Sequence, residues 1–481
     1  MDMLDPDLAS VQEARTLIRA ATAAQATLAT FSQAQVDAIC AAMARAGTEH
    51  AEELARMAVD ETGMGRVPDK TIKNRFGSAT VWEAIADVPT VGVLAEHPDR
   101  GVTEVGVPMG VIAGIIPTTN PTSTAMFKAI IAVKAGNAIV MSPHPGAKAC
   151  TLAATAIVAR AGEAAGAPPG LVACLAHPTM AATHEVMTHP DVALILATGG
   201  GAMVKAAYSS GKPALGVGPG NGPAFIERSA DIPAAVRRII DSKTFDNGTI
   251  CASEQSVVTE DAIRGDVIAE FERQGGFFLD GPAKDAVGAI LMRATGTMNP
   301  AIVGQTAPRI AEMAGVAVPS GTRVLLGVET NVGPAFPYSR EKLCPVLGFY
   351  SRPDWRSACD LCLDILRHEG AGHTMSIHSR DEDVIREFGL RKPVSRLLVN
   401  TPAALGGVGV TTGLQPSLTL GCGAVGGNAS ADNIGPLNLL NIRRVARGLR
   451  ELDDVRTGTE PRREGGDVER VVRLVLAQLG R

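Results

Sequence analysis

The run Phe245-Asp246-Asn247-Gly248-Thr249-Ile250-Cys251-Ala252-Ser253-Glu254-Gln255 sets one thiol between a polar, glycine-bearing turn and a stretch, 255–259, that reads as a buried strand. A cysteine placed so is held by the strand and can still face a cavity through the turn. Its thiolate is then a nucleophile whose strength follows local polarity and access. A single cysteine is by default a small apolar core residue, so the assignment rests on the elements around it.

Those elements alternate. Residues 8–62 carry apolar positions at helical spacing, such as Val11, Ala14, Leu17, Ile18 and Ala21. Two short strands are expected at 91–96 and 102–107, parted by the turn at 98–101. An apolar strand then runs through Gly110-Val111-Ile112-Ala113-Gly114-Ile115-Ile116 and opens into Pro117-Thr118-Thr119-Asn120. With a helix over 123–135 and a strand over 138–142 this is a βαβ unit, which implies a parallel sheet with a ligand at its strand ends. The alternation continues to a strand at 192–196 that opens into Ala197-Thr198-Gly199-Gly200-Gly201, where glycine lets backbone approach a bulky ligand. No GxGxxG opens a helix. The run Gly216-Val217-Gly218-Pro219-Gly220 has the wrong spacing and is weak evidence for a nucleotide. A second α/β segment begins near 230 and passes 420, holding Cys251, Glu341-Lys342-Leu343-Cys344-Pro345 and Gly370-Ala371-Gly372-His373.

Composition sets the limits. With 481 residues, two or three domains are expected. A formal charge of −5 and only 3% aromatic residues give no reason to expect nucleic acid. The eight cysteines form no framework, and Cys359-Asp-Leu-Cys362, inside a helical pattern, is read as core packing rather than a metal site. No run of 18 apolar residues occurs and the first residues are acidic, so no membrane partner and a cytoplasmic location are expected.

Taken together the motifs resemble the CoA-acylating branch of the aldehyde dehydrogenases, of the acetaldehyde or sulfoacetaldehyde dehydrogenase type. They are most similar to the aldehyde half of bifunctional aldehyde–alcohol dehydrogenases. The resemblance covers roughly 10–450 and rests on Ile116-Pro-Thr-Thr-Asn-Pro-Thr122, Ser142-Pro-His-Pro145, the run 243–255, Glu341-Lys-Leu-Cys-Pro345 and Pro416-Ser-Leu-Thr-Leu-Gly-Cys-Gly423. It implies an α/β aldehyde dehydrogenase-like fold of two doubly wound domains, cofactor and catalytic, plus a small oligomerisation arm. The implied layout is a cofactor domain at 1–229 with arm strands near 91–107, and a catalytic domain at 230–427. A return to the cofactor domain or arm at 428–452, a linker at 453–467 and an amphipathic tail helix at 468–481 follow.

The resemblance also implies roles. Cys251 attacks a short aldehyde, hydride passes to NAD or NADP, and coenzyme A opens the resulting thioester. Asn120 and the Cys251 N–H are the implied oxyanion donors, although Asn120 could equally cap the helix after Pro121. His373 is implied to help deprotonate a thiol or to hold CoA. Glu341 is implied at the nicotinamide ribose with Leu343 beside it, and Pro117, Thr118, Ser142, Thr198, Gly199, Gly200, Leu215 and Gly216 elsewhere on the cofactor. Hydrolytic members carry Glu-Leu-Gly-Gly where this chain has Ala214-Leu215-Gly216-Val217, so the base that activates water is missing. Glu254 or Asp246 could replace it from another direction, leaving a hydrolytic enzyme as the alternative, with a non-catalytic member of the fold as a third. Acetaldehyde is the default substrate and sulfoacetaldehyde the variant. Partners implied are sister subunits, as a homodimer or homotetramer. The tail adds another: Val468, Val471, Val472, Val475, Leu476 and Leu479 share a helical face, resembling the encapsulation peptides that dock on bacterial microcompartment shell protein.

Overall fold

The computed structural model describes residues 5–458; the tail helix expected at 468–481 lies outside them. Three helices, Pro6–Leu28, Gln33–Glu49 and Ala51–Thr62, come first, each turning an apolar stripe inward. Two antiparallel strands follow, β1 (Gly92–His97) and β2 (Val102–Pro108).

The first parallel sheet is built from β3 (Val111–Ile116), β4 (Ala138–Pro143), β5 (Val172–Cys174), β6 (Val192–Ala197) and β7 (Ala214–Gly216), in the order β5-β4-β3-β6-β7. Strands β3 and β4 are buried along their whole length, as their unbroken apolar runs demand when helices cover both faces. The helix Pro121–Lys134 starts on a proline, whose fixed φ suits the first helical position, and it too is buried throughout.

The second sheet takes β8 (Gly222–Ile226), β9 (Glu254–Glu260), β10 (Gly276–Phe278), β11 (Val324–Val328), β12 (Val346–Arg352), β13 (Gly372–His378) and β14 (Val394–Val399), in the parallel order β10-β11-β12-β9-β8-β13-β14. Strand β8 therefore lies in the second sheet, and the division between the halves falls before 222, not at 229. The chain then returns through β15 (Leu440–Ala446), which pairs antiparallel with β2 and makes a three-stranded sheet. The expected linker at 453–467 opens as a helix, Leu452–Thr457, closed by Gly458 in the left-handed conformation. Cys359 and Cys362 are both buried in an apolar cluster with Ile365 and Phe388. No described helix is long and apolar enough to cross a membrane.

Order reverses in the first sheet at β3, whose neighbours β4 and β6 wind outward in opposite directions. A crevice at the carboxyl ends of β3 and β6 follows from that reversal, and ligands of open parallel sheets bind in such crevices. The second sheet presents the opposite end. Cys251 precedes β9 and Glu341 precedes β12, so both sit at the amino ends of two paired strands.

Candidate active site

The turn that delivers Cys251 is strained and heavily braced. Asp246 and Asn247 both have positive φ, 49° and 51°, a conformation Asp and Asn tolerate better than most residues but which still costs about 1–3 kcal/mol each. The Asp246 carboxylate accepts from the Arg66 N–H at 2.8 Å, Lys70 Nζ at 3.0 Å, Lys73 Nζ at 2.5 Å and Thr249 Oγ1 at 2.7 Å. Burial works against its charge, yet Lys73 and Lys70 hold the carboxyl below its ordinary range. Asn247 Nδ2 donates to the Gly304 carbonyl at 2.8 Å. Beyond the turn, Ile250 and Ala252 are buried in the core of the first sheet, which fixes the backbone on either side of Cys251.

Cys251 opens onto a cavity of about 560 Å³. One wall is the crevice: Pro117, Thr118 and Asn120 after β3, Thr198, Gly199 and Gly200 after β6, and Ser142 at the end of β4. The other wall brings Glu341 and Leu343. Lys128, fully buried in the helix Pro121–Lys134, donates to the carbonyls of Ile115 and Leu196 at 2.7 Å each and so ties the two strand ends together beneath the crevice. Asn120 does not cap its helix through its side chain. Its Oδ1 accepts from Lys73 at 2.6 Å, and its Nδ2 donates to the Thr249 carbonyl at 3.0 Å and to Thr119 Oγ1 at 3.1 Å. The amide is therefore turned toward the turn that holds Cys251.

Electrostatics favour a protonated resting thiol. Burial, with Glu341 adding, pushes the Cys251 thiol up to about 12. Burial also raises Glu341 to about 8, against the Gly220 N–H that donates to its Oε1 at 2.8 Å. Below that pH the Glu341 carboxyl is neutral and stops opposing the thiolate. Neither substitute base reaches the cavity wall. Glu254 is buried in β9, accepts from the Ala403 N–H at 2.9 Å and is raised to about 7 by burial. Asp246 is consumed by its lysines.

Three expected residues are not on the cavity. His373 is the second residue of β13 rather than part of a ligand loop, and it is fully buried. The glycines before it serve packing: a Cβ at Gly370 would lie 2.5 Å from the Asn221 nitrogen, and one at Gly372 1.9 Å from the Cys422 carbonyl oxygen. Burial, then the Arg396 charge, takes the imidazole down to about 3, so it is neutral, with Nδ1 on Thr374 Oγ1 at 3.0 Å. Leu215 and Gly216 end β7 just short of the lining, which Val217, Gly218 and Pro219 supply. The Gly216 N–H donates to the Tyr208 hydroxyl at 3.0 Å instead. Ser142 lines the cavity with its hydroxyl paired to Thr183 Oγ1 at 2.8 Å. Sequence reasoning missed Lys73, Lys128 and Gly220. Lys128 had a visible signal, a lysine inside an otherwise apolar helix.

The comparisons agree with this geometry. The model of the aldehyde dehydrogenase family matches residues 3–335. The bifunctional aldehyde-alcohol dehydrogenase of Escherichia coli K12 is 46% identical over 443 residues, covering 91% of this chain and 50% of the relative. The chain spans about half the length of the bifunctional relatives it matches. A probable aldehyde dehydrogenase from Listeria monocytogenes EGD-e shares the fold at a TM-score of 0.93 with 58% identity, covering 94% of this chain and 100% of that one. An acetylating aldehyde dehydrogenase from Geobacillus thermoglucosidasius does so at 0.92 with 50% identity, covering 94% and 99%. The crevice at the β3 and β6 ends, the braced cysteine turn and these likenesses converge: this chain belongs to the aldehyde dehydrogenase family.

Proposed function

We propose that the chain is a CoA-acylating aldehyde dehydrogenase, which oxidises a short uncharged aldehyde with NAD⁺ or NADP⁺ and passes the acyl group from Cys251 to coenzyme A. One observation carries this reading. Among the described residues that line the cavity, Glu341 is the single carboxylate, and its Oε1 is engaged by the Gly220 N–H. Water needs a base to attack a thioester, whereas a thiol with an ordinary pKa of about 8.5 supplies its own anion. The name of the Geobacillus neighbour, an acetylating enzyme, supports the same reading.

The crevice suits a nicotinamide dinucleotide. It offers Gly199 and Gly200 for close backbone approach, and the Thr198 hydroxyl is buried there without a partner. Pro117, Thr118, Ser142, Thr198, Gly199, Gly200, Glu341 and Leu343 are the residues that would hold it, and when bound it supplies the hydride acceptor. Cys251 attacks the aldehyde carbon as thiolate, and negative charge gathers on the aldehyde oxygen. Asn120 and the Cys251 N–H are the donors this reading assigns to that charge. After oxidation the thioester on Cys251 is opened by CoA thiolate, which returns the cysteine. The balance is aldehyde, CoA and NAD(P)⁺ to acyl-CoA, NAD(P)H and a proton.

The cavity also bears on the aldehyde. Its lining includes Met298, Val303, Val408, Leu418 and Leu420, and the one ammonium among the described lining residues, Lys73, is already spent on Asp246, Asn120 and Thr249. A sulfonate there would be buried unpaired, which is costly. Acetaldehyde and propionaldehyde, each with CoA, should exceed sulfoacetaldehyde in kcat/KM by about tenfold or more. NAD(P)H formation with CoA should far exceed that without it. Equal rates with and without CoA would indicate a hydrolytic enzyme, and a preference for sulfoacetaldehyde would overturn the substrate reading.

Oligomerisation is supported by the small sheet β1-β2-β15. Among the described residues both outer strands have a free edge, and Val93, Ile442 and Val445 are 54%, 40% and 49% exposed. Bare strand edges with apolar side chains are covered in stable proteins, here by a sister subunit in a dimer or tetramer. The helical spacing of Val468, Val471, Val472, Val475, Leu476 and Leu479 in the sequence supports docking on microcompartment shell protein. Light scattering of the full chain and of a chain ending at 459 should give the same oligomer and equal solution activity. Only the full chain should co-sediment with shell protein. A monomeric full chain, or an oligomer lost on truncation, would refute one half or the other.

A further inference from the structure

Lys73 lies in the helix Val67–Arg75 and is 3% exposed. Its ammonium donates to Asp246 Oδ2 at 2.5 Å, Asn120 Oδ1 at 2.6 Å and Thr249 Oγ1 at 3.0 Å. One turn earlier in the same helix, Lys70 Nζ reaches Asp246 Oδ2 at 3.0 Å and the Thr119 carbonyl at 2.8 Å. Asp246 is thus neutralised and braced without Lys73, by Lys70, the Arg66 N–H and Thr249 Oγ1. What Lys73 adds is a cation on the Oδ1 side of the Asn120 amide, whose Nδ2 already donates to the Thr249 carbonyl of the cysteine turn at 3.0 Å.

We propose that Lys73 is a positioning residue for acyl transfer, fixing the Asn120 amide so that its Nδ2 faces the Thr249 carbonyl in the turn that holds Cys251 and strengthening it as an oxyanion donor. An ammonium carries three donors and no acceptor. The amide atom opposite it must therefore be Oδ1, because the flipped amide would set donor against donor. Flipping would also turn the oxygen toward the developing negative charge. With Oδ1 held by a cation, electron density is drawn from the amide nitrogen, and its N–H becomes a better donor. Lys73 touches no reacting atom in this arrangement and acts through Asn120. The inference rests on the roles proposed above for Cys251 and Asn120.

Two reactions at the same sulfur separate positioning from mere bracing of the turn. In acylation by acetyl-CoA, the Cys251 thiolate bonds to the carbonyl carbon and an oxyanion forms. The bond to CoA sulfur then breaks, and CoA leaves as a thiolate that takes up a proton. No electron acceptor is needed. In alkylation by iodoacetamide, a carbon–sulfur bond replaces a carbon–iodine bond and no oxyanion forms. Both are followed on the full chain by the mass of the Cys251 peptide. Lys73→Met should slow acylation by about 30-fold while changing alkylation by less than about threefold. Adding Lys73→Met to Asn120→Ala should cost little beyond Asn120→Ala alone, since coupled residues are non-additive. Lys73→Gln, which keeps a donor but no charge, should fall between wild type and Lys73→Met, and it carries the same rate comparison if Lys73→Met does not fold. Parallel losses of acylation and alkylation, or full additivity with Asn120→Ala, would overturn the role of Lys73. A wild-type enzyme that is alkylated at Cys251 but never acylated by acetyl-CoA would overturn the acyl-transfer reading along with it.

Discussion

Cys251→Ser is expected to lower aldehyde oxidation by about four orders of magnitude or more, with the fold intact. The substitution keeps shape and changes chemistry. Serine's hydroxyl ionises far less readily than a thiol, and the desolvation that already pushes the Cys251 thiol up to about 12 acts on it as well. The candidate bases weighed for this site do not make good the difference. Glu254 and Asp246 are buried away from it, His373 is neutral inside β13, and Glu341 is tied to the Gly220 N–H. Without the covalent adduct there is no hydride to transfer, because a bare aldehyde carbon holds its hydrogen. Stability should change by no more than about 1–2 kcal/mol, since Ile250 and Ala252 keep the backbone in the core. Absorbance of the reduced nicotinamide gives the rate and thermal unfolding gives the fold. Turnover within tenfold of wild type would mean that Cys251 is not the nucleophile.

What could be read from the sequence follows a physical line. Strand-then-polar-loop patterns are local, so 111–120 and 192–200 disclosed both strand ends of the crevice, and 245–255 disclosed the turn that holds Cys251. These segments hold Pro117, Thr118, Asn120, Thr198, Gly199, Gly200 and Cys251, all of which line the cavity. The failures are places where one residue type serves two purposes. Gly370 and Gly372 look like a ligand loop but exist so that backbone can pass Asn221 and Cys422, and His373 is carried inward with them. Strand β8 is only five residues and follows a glycine-rich run, so nothing in the pattern says which sheet it will join. Lys73 sits in a polar helix, Val-Pro-Asp-Lys-Thr-Ile-Lys-Asn-Arg, where any lysine reads as solvated. Only the tertiary approach of Asp246 and Asn120, far along the chain, marks this one.

Gly220 is the sharpest case, and replacing it should damage the enzyme although it touches no reacting atom. The run 216–220 fails as a dinucleotide fingerprint, yet its last glycine stands against the Cys251 backbone. A Cβ at 220 would lie 1.8 Å from the Cys251 carbonyl oxygen and 2.8 Å from the carbonyl carbon. Both are backbone atoms, so no side chain can rotate aside. Either segment must shift by about an ångström, a misplacement that can cost on the order of 100-fold in rate. The Cys251 side resists, held by the braced turn before it and by β9 after it. The Gly220 side resists too, because its N–H is the donor to Glu341 Oε1 at 2.8 Å and β8 begins two residues later. Gly220→Ala should therefore lose about 100-fold in kcat and raise the KM for the dinucleotide as Glu341 is displaced. The melting temperature should fall by only a few degrees, because the clash is confined to one contact. Gly281→Ala, where a Cβ meets nothing within 4 Å at the start of the helix Gly281–Leu291, should leave kcat at the wild-type value. A Gly220→Ala enzyme with wild-type kcat would show that the Cys251 carbonyl is free to yield, and that the nucleophile is not held where these contacts place it.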